Sequence, residues 1–225
     1  MQRPSQRFSA VDRRQVAEAV AAAESKTSAE IVPVIAAASG RYDRAEDLVG
    51  LWTAIVALVC VATVWNVEFP EPDGWDEPSR IGQTVALAAA VVIGFFAGAA
   101  AATRLDGLRR LFVSGVQRRD ETWTRAVQVF HDRRISRTAT RSGILIYVSL
   151  FERTAAIVAD EAVLQKVGQP ALDDLCRRLV ERMKQDHPTA ALSATIDAAG
   201  ACLAAHFPPT VPRANELSDA LVLLD

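Results

Sequence analysis

Two stretches of this chain hold no charged residue: residues 48–67, between Asp47 and Glu68, and residues 81–103, between Arg80 and Arg104. At 1.5 Å of rise per residue, a helix of either length reaches about 30 Å, the thickness of a bilayer's hydrocarbon core. Both runs are apolar on every face, a pattern that needs hydrocarbon or protein all round, and two such runs in 225 residues favour hydrocarbon. Residues 68–80 between them carry Glu68, Glu71, Asp73, Asp76 and Glu77, with Pro70, Pro72 and Pro78 opposing helix. The pattern predicts a transmembrane hairpin with a short acidic loop.

The rest of the chain has the shorter periods of a globular domain. Ser9 and Asp12 are spaced as a helix cap, and Val16, Ala19, Val20 and Ala23 share one face, which predicts a helix over 10–25. Residues 30–35 predict a short strand, with an edge or bulge at Pro33 because proline has no donor for a ladder. Trp123, Val127 and Phe130 make an apolar stripe on a helix predicted over 116–136, whose other side is basic. Residues 143–150, apolar on both faces, predict a central strand, and 154–160 its antiparallel partner. Leu172, Leu175, Cys176, Leu179, Val180 and Met183 then recur at helical spacing, and so do Leu192, Ile196, Ala199 and Leu203 in a helix over 189–205. The tail from Phe207 reads as irregular, docked by Leu217, Leu221 and Leu224. Residues 1–47 and 104–225 are therefore expected to form one domain, interrupted by the hairpin at 48–103.

Charge orients the hairpin. The chain as a whole is nearly balanced at −2, but its basic residues are placed unevenly. Arg41 and Arg44 precede the first apolar run, and Arg104, Arg109, Arg110, Arg118 and Arg119 follow the second, opposite the acidic loop. The positive-inside rule then predicts two spans of a bacterial inner membrane, with both termini cytoplasmic and the loop outside. Those five arginines after the second run are expected to face anionic lipid; no motif or aromatic platform beside them points to nucleic acid. Within the second run, Ala90, Gly94, Gly98 and Ala102 put a small residue at every fourth position. Such a face lets helix backbones approach closely, and it can take the first run, a second copy or another membrane protein. Neither run holds an Asp, Glu, Lys, Arg or His, so the usual marks of an ion or proton path are missing.

Little else points to chemistry. Cys60, Cys176 and Cys202 are too scattered for a disulfide framework or a zinc site and suit a reducing compartment. Residues 1–30 lack the apolar core of a cleavable signal, so the first run itself is expected to direct insertion. His131, His187 and His206 have no metal-ligand partner at helical spacing, and no nucleophile elbow or phosphate-binding glycine loop occurs. The acids left as candidates for a hard cation, calcium or magnesium, are Asp160, Glu161, Asp173 and Asp174 at the edge of the predicted sheet. Asp173 and Asp174 also suit the first turn of a helix, where the dipole favours negative charge.

In order along the chain, Thr27-Ser28-Ala29-Glu30-Ile31-Val32, Arg141-Ser142-Gly143-Ile144-Leu145-Ile146-Tyr147-Val148, Ala156-Ile157-Val158-Ala159-Asp160-Glu161 with Lys166-Val167-Gly168, and Asn215-Glu216-Leu217-Ser218-Asp219 resemble the TPM domain family. The resemblance implies an α/β fold with a small central mixed sheet covered by helices on both faces, here interrupted by the two-helix hairpin. The uncharged runs, the basic helix that follows them and the lack of a catalytic signature favour a cytoplasmic binding or assembly module. Because some members of the family are reported as acid phosphatases and some bind calcium, the resemblance offers a weak metal-assisted acid phosphatase as the alternative. No catalytic residue carries over by motif.

Overall fold

The computed structural model describes residues 3–40, 43–64, 77–105, 107, 113–138, 141–185, 187–209 and 217–225. It forms two compact units: Met1–Gly40 together with Gly115–Asp225, and Arg41–Ser114.

The first unit is organised on a four-stranded sheet in the order β3-β2-β1-β4. Strand β1 (Glu30–Ala36) runs parallel to β2 (Gly143–Ser149), with Glu30 opposite Gly143 and Ala36 opposite Ser149. Strand β3 (Thr154–Ala159) returns antiparallel to β2, and β4 (Val222–Leu224) pairs parallel with β1 from Val34 onward. Every residue of β1 and β2 is buried because alternate side chains enter two separate cores. Ile31, Ile35, Ile144 and Ile146 join one core, and Val32, Val34, Leu145 and Tyr147 the other.

Helices cover both faces, as the family resemblance implies. After a short α1 (Pro4–Arg7), the first face takes α2 (Ala10–Glu24), while α5 (Gly115–Asp132) and a 3-10 turn at Ile135–Arg137 cover the second. The first face is completed by α6 (Glu161–Val167), α7 (Gln169–Gln185) and α8 (Pro188–Ala204). The cap read from Ser9 is present: Ser9 Oγ accepts the Asp12 amide at 3.2 Å, and Asp12 accepts the Ser9 amide at 2.9 Å. The other Asp12 oxygen accepts the Thr189 hydroxyl at 2.9 Å, which ties the start of α2 to α8. Hydrogen bonds from Ser9, then from Thr189, hold this carboxyl below its ordinary value.

The structure departs from the sequence reading in three places. Pro33 is in an interior strand, yet β4 begins to pair only at Val34, so the missing donor falls where β1 lacks its second neighbour. The tail expected to be irregular supplies β4, three residues long and too short to show an alternation. The stripe on α5 is rotated: Thr122, Ala126, Val129 and Phe130 are buried, whereas Trp123 is 46 % exposed. Small side chains on the inner face bring this helix close to β3, where the Thr122 and Thr154 hydroxyls lie 2.6 Å apart. The helix also ends at Asp132, before the expected position, and Arg134 turns the chain through the left-handed region at φ 57°.

The second unit interrupts the β1-to-β2 crossover that parallel strands require. It pairs α3 (Asp43–Val64) with α4 (Glu77–Arg104). Both are long and apolar enough to cross a membrane, over Asp47–Val64 and Gly82–Arg104.

Candidate functional site

At one end of the sheet, β1 and β2 begin and β3 finishes. The Gly143 amide donates to Asp160 Oδ2 at 3.1 Å, and the Asp160 amide donates back to the Gly143 carbonyl at 2.9 Å. Asp160 stands at the N-cap of α6, but no side-chain bond caps the helix; its carboxylate turns to the sheet instead. Burial raises this carboxyl above its ordinary value, while the Gly143 hydrogen bond and the positive fields of Arg141 and His131 pull it back. Position 143 needs glycine, since a Cβ there would lie 2.6 Å from the Ile135 carbonyl oxygen. Ser136, Arg141, Asp160, Glu161 and Gln165 line an open cavity of about 500 Å³ at this end. Nearby, Thr27 is structural: its hydroxyl donates to the Phe207 carbonyl at 2.8 Å and joins β1 to the segment after α8.

Asp160 and Glu161 thus share one cavity, but the structure does not gather all four candidate acids. Asp173 and Asp174 lie in the first turns of α7. Gln169 Nε2 donates to Asp173 at 2.7 Å; Asp174 pairs with Arg177 and, at 2.6 Å, with Arg178. The hydrogen bond from Arg177 is the main reason the Asp174 carboxyl lies below its ordinary value. Among the described residues no group of three or more His, Cys, Asp or Glu side chains could hold a metal ion.

The opposite end of the sheet holds a buried acid that the sequence reading treated only as part of a turn. Glu152 Oε1 accepts the amides of Ser39 at 2.8 Å and Gly40 at 3.1 Å, and Oε2 accepts the Ser149 hydroxyl. The Ser39 hydroxyl lies 3.1 Å from the Tyr147 hydroxyl, whose phenol is pushed up by burial. The next residue, Arg153, has φ 53°, and it lines a cavity of about 690 Å³ with Arg118, Arg119, Cys176, Arg177 and Lys184. Cys176 is no nucleophile here: burial pushes its thiol up to about 11, and Sγ donates to the Ala155 carbonyl at 3.0 Å.

Of the basic residues singled out from sequence, Arg118 and Arg119 therefore line a cavity, and Arg104 is exposed at the end of α4. Arg109 and Arg110 lie outside the described residues. The small-residue face of α4 is occupied by α3. A Cβ on Gly94 would lie 2.9 Å from the Ala57 Cβ and one on Gly98 1.8 Å from Thr53 Oγ1, while the Thr53 hydroxyl donates to the Gly94 carbonyl at 2.8 Å. Ala102 is fully buried on the same face and Ala90 half-buried.

Residues 108–202 match the model of the TPM domain, a stretch that takes in α5, β2, β3, α6 and α7 and most of α8. This chain carries a TPM domain. Helix α2 and strands β1 and β4 lie outside the matched stretch, yet they belong to the same sheet and its cover. The NMR structure of the BA42 protein from the psychrophilic bacterium Bizionia argentinensis sp. nov. is similar in fold, with a TM-score of 0.56, 18 % identity and 99 % of each chain covered. No curated protein matches the chain.

Proposed function

We propose that this TPM protein is integral to a bacterial inner membrane and that its TPM domain is a cytoplasmic binding module. The observation that supports this reading is the exposure of the apolar helices. Each spanning window is only 17 % buried, whereas a core helix of a soluble protein is mostly buried. Trp52, Val56, Val59, Ile93 and Phe96 are all more than half exposed, a patch that a protein in water rarely carries. The arginines flanking the runs support the cytoplasmic side for the domain. The inert Cys176 and the absence of a nucleophile motif favour binding over covalent chemistry. Alkaline carbonate extraction of membranes holding the full chain is the test. The chain is expected to stay in the pellet; release into the supernatant would remove the membrane reading.

One observation favours a second reading, weak acid phosphatase activity: the raised Asp160 carboxyl beside Arg141 in an open cavity. The described donors do not make a metal site by themselves, so the assay is run both with and without calcium or magnesium. Under this reading the full chain hydrolyses a generic phosphate ester and D160N abolishes it. D174N, which alters an acid already committed to Arg177 and Arg178, should leave it unchanged. Activity that survives D160N would end this reading.

A further inference from the structure

We infer that the cleft between the start of α5, the β2–β3 turn and α7 binds a phosphate group, carried by an ester with an apolar remainder. This gives the binding module proposed above its ligand class, while carbonate extraction reads membrane insertion separately, so the two can fail independently. Five cations from three elements converge on the cleft: Arg118 and Arg119 from α5, Arg153 from the turn, Arg177 and Lys184 from α7. Its acids are already engaged. Glu152 holds Ser39, Gly40 and Ser149, Asp173 accepts from Gln169, and Glu181 lies 3.5 Å from Arg177. Among the described residues, Arg118, Arg119, Arg153 and Lys184 form no ion pair.

Three features of the cleft suit an anion. The Arg118 Nε is buried with no hydrogen-bond partner among the described residues, a cost that an anionic oxygen would remove. Arg153 occupies a left-handed conformation that glycine or asparagine adopts more readily, so what this position supplies is the guanidinium and not a favourable turn. Gly115, at the start of α5, also lines the cleft, where amide groups and the helix dipole add positive potential. An adjoining cavity of about 310 Å³ shares Arg153 and Lys184 and adds Val148, Leu150 and Met183, a surface for the non-polar part of such an ester. Cys176, which also lines the cleft, already donates its Sγ hydrogen to the Ala155 carbonyl. The chain leaves this domain at Gly40, whose amide Glu152 holds, and returns at Gly115, which lines the cleft.

The test uses the full chain in phosphatidylcholine nanodiscs and reads amide hydrogen exchange over residues 115–119 and 150–155. One arm titrates inorganic phosphate and glycerol 3-phosphate; the other incorporates phosphatidylglycerol into the disc. The decisive variant is R153N combined with K184M, because asparagine suits the left-handed turn and methionine keeps the lysine stem. R13Q, on the exposed side of α2, is the charge-matched control. Protection of the wild type by the soluble phosphates assigns a free phosphate ester; protection by phosphatidylglycerol alone assigns a lipid headgroup. In either case the double variant should bind about thirtyfold more weakly, the loss expected for two cations near a phosphate surface, and R13Q should match the wild type. No protection in either arm, or equal protection in the double variant, overturns the inference.

Discussion

Glu152 offers the sharpest test of how the TPM sheet holds the segment that leads out of it. Its carboxylate takes three donors, and each would respond differently to its removal by E152A. Ser149 is fully buried, so its hydroxyl loses its partner in a dry setting, a penalty of about 1–3 kcal/mol. Ser39 and Gly40 are half-buried, and water can replace the carboxylate there, so each bond is worth only about 0.5–1.5 kcal/mol. The total is about 4 kcal/mol, which for a domain of this size lowers the melting temperature by about 8–16 °C. E152Q keeps one oxygen for the two amides and turns its NH2 to the Ser149 oxygen, so it should lose only about 1 kcal/mol. Thermal unfolding of the full chain ranks the three proteins, and hydrogen exchange at residues 39 and 40 shows whether the connection has loosened. An E152A chain within about 1 kcal/mol of wild type, or an E152Q chain as unstable as E152A, would refute this account of the carboxylate.

Other predictions follow from the caps, the buried acid and the helix pair. S9A should cost about 1 kcal/mol of stability by thermal unfolding, since it removes one half of the box that starts α2. Asp12 has a folded value below its unfolded one, so its contribution is complete above the unfolded value and lost as pH falls through the folded one. A melting-temperature titration should show that acid-side loss in the wild type and less of it in D12N. Asp160 has the opposite sign: burial raises its folded value, so stability falls as pH rises from the unfolded value through the folded one. D160N keeps an acceptor for the Gly143 amide and should melt higher than wild type at neutral pH, the two converging in acid; a lower neutral melting point would contradict this. G98I should push α3 from α4, because even a Cβ meets Thr53. Spin labels on Ala62 and Val85, in a chain freed of its own cysteines, should then read a longer distance.

Much of this fold was legible where a local rule and the tertiary structure agree. Ser9 and Asp12 announce α2, and the uniformly apolar β2 announces a central strand because both of its faces are covered. The rotation of α5 was hidden because Trp123 dominates any apolar stripe by size, whereas close approach to β3 selects the small Thr122 and Ala126. Strand β4 is too short to show a period, and α6 is a single short helix between β3 and the positive-φ Gly168. At the sites, Asp160 and Glu161 could be paired by adjacency, but Asp173 and Asp174 belong to the start of α7 and point to other partners. Glu152 left no signal beyond a lone acid between two apolar strands. Its function depends on Ser39 and Gly40, more than a hundred residues away along the chain.

The central claim, a TPM domain on the cytoplasmic side of a two-span hairpin, is tested most directly by cysteine accessibility in intact bacterial spheroplasts. In a chain lacking its three native cysteines, one cysteine is placed at residue 75 and, separately, at residue 13, and each is treated with a membrane-impermeant maleimide. Residue 75 should label in intact cells and residue 13 only after lysis. Labelling of residue 13 in intact cells, or protection of residue 75 until lysis, would contradict the account.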